Sequence, residues 1–137
     1  MEKVPQTSKI KGKSAPSRAP AAKLTLKPEL LRQMHDLMVK SRCLEERLIR
    51  MYKQNDGYFW IGGPGEEAFN VPLGMLIKKG QGPAYDYFHG HYRSAPTLVA
   101  MGMNPLDPMR QMKNTATDPF SGGRNFCGPI SIAKWNV

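Results

Sequence analysis

The feature that most constrains the fold is a run of apolar residues at three- and four-residue steps between Pro28 and Tyr52. This spacing places the leucines and methionines of the segment along one side of an α-helix. Proline suits the first position of a helix, and Gly57 supplies a stop. Arg42 and Glu46, four residues apart on the opposite side, predict a surface ion pair. We therefore predict a long amphipathic helix whose apolar stripe lies in a core or an interface.

Basic residues are concentrated ahead of this helix. The chain carries a net charge of +9, and residues 1–28 hold seven Lys or Arg against one acid, whereas residues 29–137 hold thirteen against ten. Bulky apolar groups are scarce before residue 24, so little surface is available to offset the entropy of ordering. We expect residues 1–28 to form a disordered basic tail. The tail is either simply solvated or a tether that touches an acidic partner or nucleic acid.

Cysteine usage and hydropathy bound the location of the protein. Cys43 and Cys127 are the only two cysteines and lie far apart, which favours a reducing compartment, and we expect a cytoplasmic protein. No run of eighteen apolar residues is present, so we expect no membrane span. The basic N-terminus lacks the apolar segment of a secretory signal, and its lysines and prolines fit a mitochondrial presequence poorly.

Aromatic residues and glycines mark the middle of the chain. We predict an extended aromatic step at residues 58–61 and a tight turn at residues 62–65, since the glycines there lack the spacing of a phosphate-binding loop. Glu66 and Glu67 then open a helix. Adjacent residues on a helix point about 100° apart, so these two acids are not expected to share a site. Pro72 is expected to kink this helix or to delay its start.

Caps and prolines organise the rest of the chain. Ser94 predicts the cap of a helix that stops at Gly102, and Asn104 predicts the cap of a short helix that reaches about Lys113. Apolar residues within 130–137 predict the beginning of a strand.

Between these elements, residues 86–94 combine aromatic rings, two histidines, a glycine and an arginine. The guanidinium of Arg93 can hold two oxygens of a phosphate, and the hydroxyl of Tyr92 can add a donor. The segment therefore predicts a site for an anionic ligand, although a surface arginine beside a buried tyrosine is an equally open alternative. His89 and His91 alternate, but no third residue has zinc-site spacing, so we expect no metal site there.

Taken in order, these segments resemble the alpha subunit of the thiamine diphosphate-dependent 2-oxo acid dehydrogenases, and the branched-chain type more than the pyruvate type. The resemblance covers residues 29–137 and rests on Arg42 with Glu45-Glu46-Arg47, Gly65-Glu66-Glu67-Ala68, His91-Tyr92-Arg93-Ser94, Ala100-Met101-Gly102 and Gly122-Gly123-Arg124. It implies an α/β fold class, with N-terminal helices plus the beginning of a doubly wound thiamine diphosphate-binding domain that is truncated at Val137.

The resemblance also implies two groups of site residues. Those that match cofactor-binding positions are His91, Tyr92 and Arg93, with the Tyr-Arg pair on the diphosphate. Those that match substrate-binding positions are Phe59, Tyr92, Phe126, Cys127, Gly128 and Pro129. Pro129 stands where the family carries a histidine, and proline has no side-chain group to transfer a proton. The family's Gly-Asp-Gly motif for magnesium is absent from this chain, so we expect no magnesium ligands and no activity from the chain alone.

The implied function is oxidative decarboxylation of a branched-chain 2-oxo acid, with transfer of the acyl group to lipoyl. The implied partners are a beta subunit, in a heterotetramer, and a lipoyl acyltransferase core. For this function we expect no nucleic-acid partner. Two other functions stay open: the main alternative is a non-enzymatic module that binds nucleic acid through its basic tail, and the second is a remnant that docks a partner subunit through its Met-rich stripe.

Overall fold

A computed structural model describes residues 25–126 and 130–137. That part of the chain is a small helical domain with helices α1 (Pro28–Lys53), α2 (Glu67–Leu76), α3 (Ala95–Met101) and α4 (Leu106–Met112), followed by a 3-10 turn at Ala133–Trp135. The predicted N-terminal helices are therefore confirmed, and no strand occurs within the described residues. Residues 1–24 of the predicted tail, and Cys127, Gly128 and Pro129, lie outside them. None of the described helices is long and apolar enough to cross a membrane.

Helix α1 begins at Pro28, as predicted, but the residue that ends it is not the predicted Gly57. The chain leaves the helix through Asn55, whose φ of 56° is left-handed, rather than through Gly57. Asparagine tolerates this conformation better than most residues. Gly57 is needed for packing instead, because a Cβ there would lie 2.8 Å from the side chain of Met112 in α4.

The predicted Arg42–Glu46 pair is replaced by a pair with a residue distant in sequence. The Nε and Nη2 groups of Arg42 donate to the two carboxylate oxygens of Glu67 at 2.7 and 2.9 Å. Glu67 is buried in the first turn of α2, whereas Glu46 is exposed on the surface of α1. The fork of the guanidinium matches a fixed carboxylate, so this bidentate pair connects α1 to α2.

Helices α2 and α3 pack closely against each other. The hydroxyl of Thr97 donates to the side-chain oxygen of Asn70 at 2.9 Å, and both residues are buried. Gly74 faces the backbone of Thr97 in the same interface. Helix α2 begins at Glu67 and contains Pro72, so of the two effects expected of this proline the later start does not occur. The carbonyl of Glu66 accepts from the amides of residues 69 and 70, so the first turn forms before the proline is reached.

The apolar core joins α1, α3 and α4, and its buried members are Leu44, Leu48, Met51, Ala95, Leu98, Val99, Met101, Met103 and Met112. The side-chain oxygen of Asn104 accepts from the amide of Leu106 at 3.1 Å, but Pro105 occupies the N-cap position of α4, so the predicted cap by Asn104 is not formed. The aromatic step at residues 58–61 is irregular and pairs with no strand within the described residues.

The strand predicted at residues 130–137 is wrong. The amide of Ile132 donates to the carbonyl of Val137 at 2.9 Å, so the segment folds back on itself around a 3-10 turn. Asn136 adopts a left-handed φ of 54°, which ends any extended run. Its side-chain amide exchanges two hydrogen bonds, of 3.0 and 2.9 Å, with the backbone of Gly82. This pairing anchors the loop that leads into residues 86–94.

Candidate functional site

The segment His91-Tyr92-Arg93 forms a turn immediately before α3. The amide of His91 donates to the hydroxyl oxygen of Ser94 at 2.9 Å, so Ser94 closes this turn and does not make the predicted side-chain cap of α3. The rings of His91 and Tyr92 are in contact, with centroids 3.7 Å apart and planes tilted by 40°, and Cζ of Arg93 lies 5.0 Å from the centre of the Tyr92 ring. The three side chains therefore form one cluster.

A small cavity connects Tyr92 with the two other described residues that were predicted to contact substrate. Phe59, Tyr92 and Phe126 all line a cavity of about 60 Å³. Its remaining lining residues are Glu45, Leu48, Trp60, Ile61, Ala95, Pro108, Gln111, Met112 and Ile130. A volume of this size accommodates a few water molecules, and drug-sized ligand sites are several times larger. The cavity thus suits a small ligand.

Phe126 reaches the cavity from a loop organised by Asp118. The ring of Phe126 meets the ring of Phe59 edge-on, with centroids 6.1 Å apart. Asp118 is buried, and its carboxylate accepts from the amides of Phe120 and Ser121 at 3.0 Å and from the hydroxyl of Ser121 at 2.6 Å. Burial acts to raise the pKa of Asp118, but these hydrogen bonds outweigh it and hold that pKa below its ordinary value. The ionised carboxylate therefore fixes the loop.

Glu45 is a cavity residue to which sequence reasoning gave no role. Its side chain is buried, and Oε2 accepts from the indole Nε1 of Trp60 at 3.1 Å. Burial raises its pKa above the ordinary value, against the lowering effects of hydrogen bonds from Trp60 and the amide of Gly63. The signal was present in the sequence, because Glu45 lies four residues after buried Ser41 and one after Leu44, on the buried side of α1.

Glu66 and Glu67 have separate surroundings, as predicted for adjacent helical residues. Glu67 is buried, and besides Arg42 it accepts from the amide of Gly65 at 2.9 Å. The Arg42 hydrogen bonds hold the pKa of Glu67 below its ordinary value, and the same contacts raise the pKa of Arg42. Glu66 is exposed, and its carboxyl lies against Gly63 beside the side chain of Arg93.

Arg93 itself is exposed at the edge of the cavity-lining cluster. Within residues 25–126 and 130–137, the ion pairs shorter than 4.0 Å involve other cations, and none involves Arg93. The guanidinium is therefore available to an anion. In the same part of the chain, no three His, Cys, Asp or Glu side chains converge into a group that could hold a metal ion.

Comparison with known proteins adds no identification, since no protein-family model and no solved structure matches this chain.

Proposed function

We propose that this chain is the N-terminal portion of an alpha subunit of a thiamine diphosphate-dependent 2-oxo acid dehydrogenase of the branched-chain type. In the full assembly, with beta subunits and a lipoyl acyltransferase core, the reaction is oxidative decarboxylation of a 2-oxo acid. The observation that carries the proposal is that Phe59, Tyr92 and Phe126, from three separate segments, line one cavity. Arg93 is the next residue after Tyr92 in the chain, and its side chain is exposed. The finer fold proposal is that these helices belong to the beginning of a doubly wound α/β domain.

The residues beside the cavity fit the diphosphate end of the cofactor. Nδ1 of His91 accepts from the amide of Arg93 at 3.4 Å, which places the proton of a neutral ring on Nε2 as a donor. The hydroxyl of Tyr92 and the guanidinium of Arg93 supply further donors. Thiamine diphosphate would supply the carbanion chemistry when bound. The role of these three residues is to bind and orient the diphosphate.

The neighbourhood of Arg93 also limits how tightly this chain alone would bind a diphosphate. The carboxyl of Glu66 lies against the same glycine, Gly63, and adds a negative charge near the guanidinium. The described residues form no cluster that fits magnesium, so no magnesium ligand is assigned to them. We propose that the chain is inactive by itself and contributes one part of a binding site that other chain segments complete.

The cofactor proposal is tested by thiamine diphosphate binding to this chain co-expressed with a branched-chain dehydrogenase beta subunit. Arg93→Ala is expected to weaken binding by about 1.5–3 kcal/mol, the range for loss of a charged hydrogen bond, which is roughly a 10- to 150-fold rise in Kd by calorimetry. Arg50→Ala is the matched control, since Arg50 is exposed on α1. An equal Kd for wild type and Arg93→Ala would remove Arg93 from the site. Decarboxylation of 3-methyl-2-oxobutanoate by this chain with a beta subunit, and with no further alpha-subunit segment present, would contradict the proposal that other alpha-subunit segments are needed to complete the site.

Docking of a partner subunit without catalysis is a second candidate, favoured by the surface of α2. Phe69, Leu73 and Leu76 follow one another at four- and three-residue steps, so they share a face of the helix. Phe69 is 69% and Leu76 is 82% exposed, which leaves an apolar face in contact with water. The Met-rich stripe of α1 is less suitable than expected, because its C-terminal half is buried in the core. Co-purification with a beta subunit in the absence of cofactor would favour this candidate.

A further inference from the structure

The wall of the cavity contains a single carboxyl among its described residues, that of Glu45. The residue is only 2% exposed, and most of the other lining side chains are aromatic or aliphatic. A carboxyl in such surroundings loses the hydration that stabilises its charge, so the neutral form is favoured unless a cation compensates.

The charged neighbours of Glu45 compensate its charge only in part, because Arg42 acts to lower its pKa but burial is the larger effect. Arg42, one turn earlier on α1, is committed through two hydrogen bonds to Glu67 on α2. Glu67 is itself negative and acts against a second charge at Glu45. Tyr92 adds a phenol to the described lining residues, and a phenol cannot supply a positive charge. Trp60 contributes a neutral donor at 3.1 Å. Burial and Glu67 outweigh the hydrogen bonds from Trp60 and Gly63, so the pKa of Glu45 is raised and its neutral form is more favoured than in an exposed carboxyl.

A protonated carboxyl can donate an O–H to a ligand oxygen, whereas an ionised carboxylate can only accept hydrogen bonds. We propose that the cavity binds a small branched apolar ligand that ends in a carbonyl or carboxylate oxygen, and that Glu45 donates its proton in a hydrogen bond to that oxygen. The inference rests on the proposed function, because a branched-chain 2-oxo acid is a ligand of this class. It assigns a specificity role to a residue outside the segments matched to cofactor and substrate.

Binding of a carboxylate ligand is then linked to a proton. When Glu45 ionises, the hydrogen bond is lost and two negative charges face each other in an apolar cavity. The affinity for 3-methyl-2-oxobutanoate is therefore expected to fall as the pH rises through the pKa of Glu45, by up to about tenfold per pH unit for a single linked proton. The matched amide, 3-methyl-2-oxobutanamide, can donate an N–H to ionised Glu45, so its affinity is expected to change much less.

The experiment uses the full 137-residue chain without cofactor. Trp60 is the reporter, since its indole touches Glu45, and Trp135→Phe removes the other tryptophan from the emission signal. The two probes are titrated between pH 5 and 8. Glu45→Gln, which keeps the shape of the neutral acid, is expected to bind the 2-oxo acid with an affinity independent of pH. Glu46→Gln, at the exposed neighbouring position, is expected to follow wild type.

Parallel pH profiles for wild type and Glu45→Gln would overturn the proposal, as would the absence of saturable binding of either probe. If Glu45→Gln does not fold, as judged by circular dichroism, calorimetry of wild type decides. Binding of the 2-oxo acid above the pKa of Glu45, measured in two buffers of different ionisation enthalpy, should show net proton uptake, and zero uptake would overturn the proposal. Thiamine diphosphate affinity and its response to Arg93→Ala are measured separately, so a failure of the proposed function is distinguishable from a failure at Glu45.

Discussion

Replacement of Gly74 by alanine places two well-understood effects in direct opposition. Gly74 lies inside α2 and faces α3. A Cβ at this position would collide with the carbonyl oxygen of Thr97 and lie 2.8 Å from Cβ of Ala100. Alanine is a better helix former than glycine by about 1 kcal/mol, so α2 taken alone would gain stability. The packing against α3 acts in the opposite direction.

The packing effect is expected to be the larger one. The closest obstacle is backbone, which cannot rotate away as a side chain can. Ordinary carbon–carbon contact is about 3.5–4.0 Å, so α2 and α3 would have to separate by roughly an ångström. Inserting a methyl group into a close-packed interface costs typically about 1–3 kcal/mol, and a rigid obstacle places this site near the upper end. After the gain in helix propensity, we expect Gly74→Ala to lower the free energy of unfolding by about 2 kcal/mol, which is roughly a 10 °C decrease in Tm.

Thermal and urea unfolding followed by circular dichroism measure this difference. Gly90→Ala is the control, because a Cβ there would meet its nearest atom, in Phe88, at an ordinary 3.5 Å. Adding Ala100→Gly to Gly74→Ala removes only the side-chain obstacle and leaves the carbonyl of Thr97, so the double variant should remain destabilised. A Gly74→Ala protein as stable as wild type, or more stable, would refute the close approach of α2 and α3.

Two further predictions concern the contacts that hold the site in place. The folded-state pKa of Glu67 lies below its ordinary value, so its ionised form contributes stability above the unfolded-state pKa that is lost as the pH falls through the folded-state pKa. Glu67→Gln should therefore destabilise the protein at neutral pH and flatten the acid limb of stability against pH, and parallel acid limbs in urea unfolding would contradict this. Asn136→Ala removes both hydrogen bonds to Gly82 and should cost about 1–3 kcal/mol, with faster hydrogen exchange at the amide of Gly82, and unchanged exchange there would argue against the anchor.

The elements that the sequence predicted correctly are those with local causes. The start of α1 follows from Pro28 and the apolar spacing after it, and the short helix predicted after Asn104 and Pro105 is present as α4, although Pro105 and not Asn104 is its N-cap residue. Glu66 and Glu67 have separate surroundings, as predicted, with Glu66 at the N-cap position and Glu67 in the first turn of α2. Each of these outcomes depends on residues within a turn or two, which is the range over which sequence patterns are informative.

The predictions that failed depend on residues far apart in the chain. Arg42 pairs with Glu67, 25 residues away, and not with the neighbouring Glu46, because the tertiary fold brings the buried carboxylate of Glu67 next to the guanidinium. The strand expected at residues 130–137 gives way to a turn that is anchored through Asn136 to Gly82. The cavity also depends on residues far apart in the chain, because the fold brings Phe59 and Phe126 together from two separate segments. The resemblance named those two residues, but their proximity is a property of packing.

The contact between Glu45 and Gly62 has a consequence for how sequences related to this one can diverge. A Cβ at Gly62 would lie 2.9 Å from the carboxyl carbon of Glu45 and closer still to one of its oxygens. The two positions are therefore coupled, because a side chain at Gly62 would force the carboxyl of Glu45 to shift. A lineage that exchanges Glu45 for a short side chain removes the selection for glycine at position 62, whereas a side chain acquired first at Gly62 would displace the acid from its place beside Trp60. We therefore expect residues other than glycine at position 62 mainly in sequences that have already lost the acid at position 45.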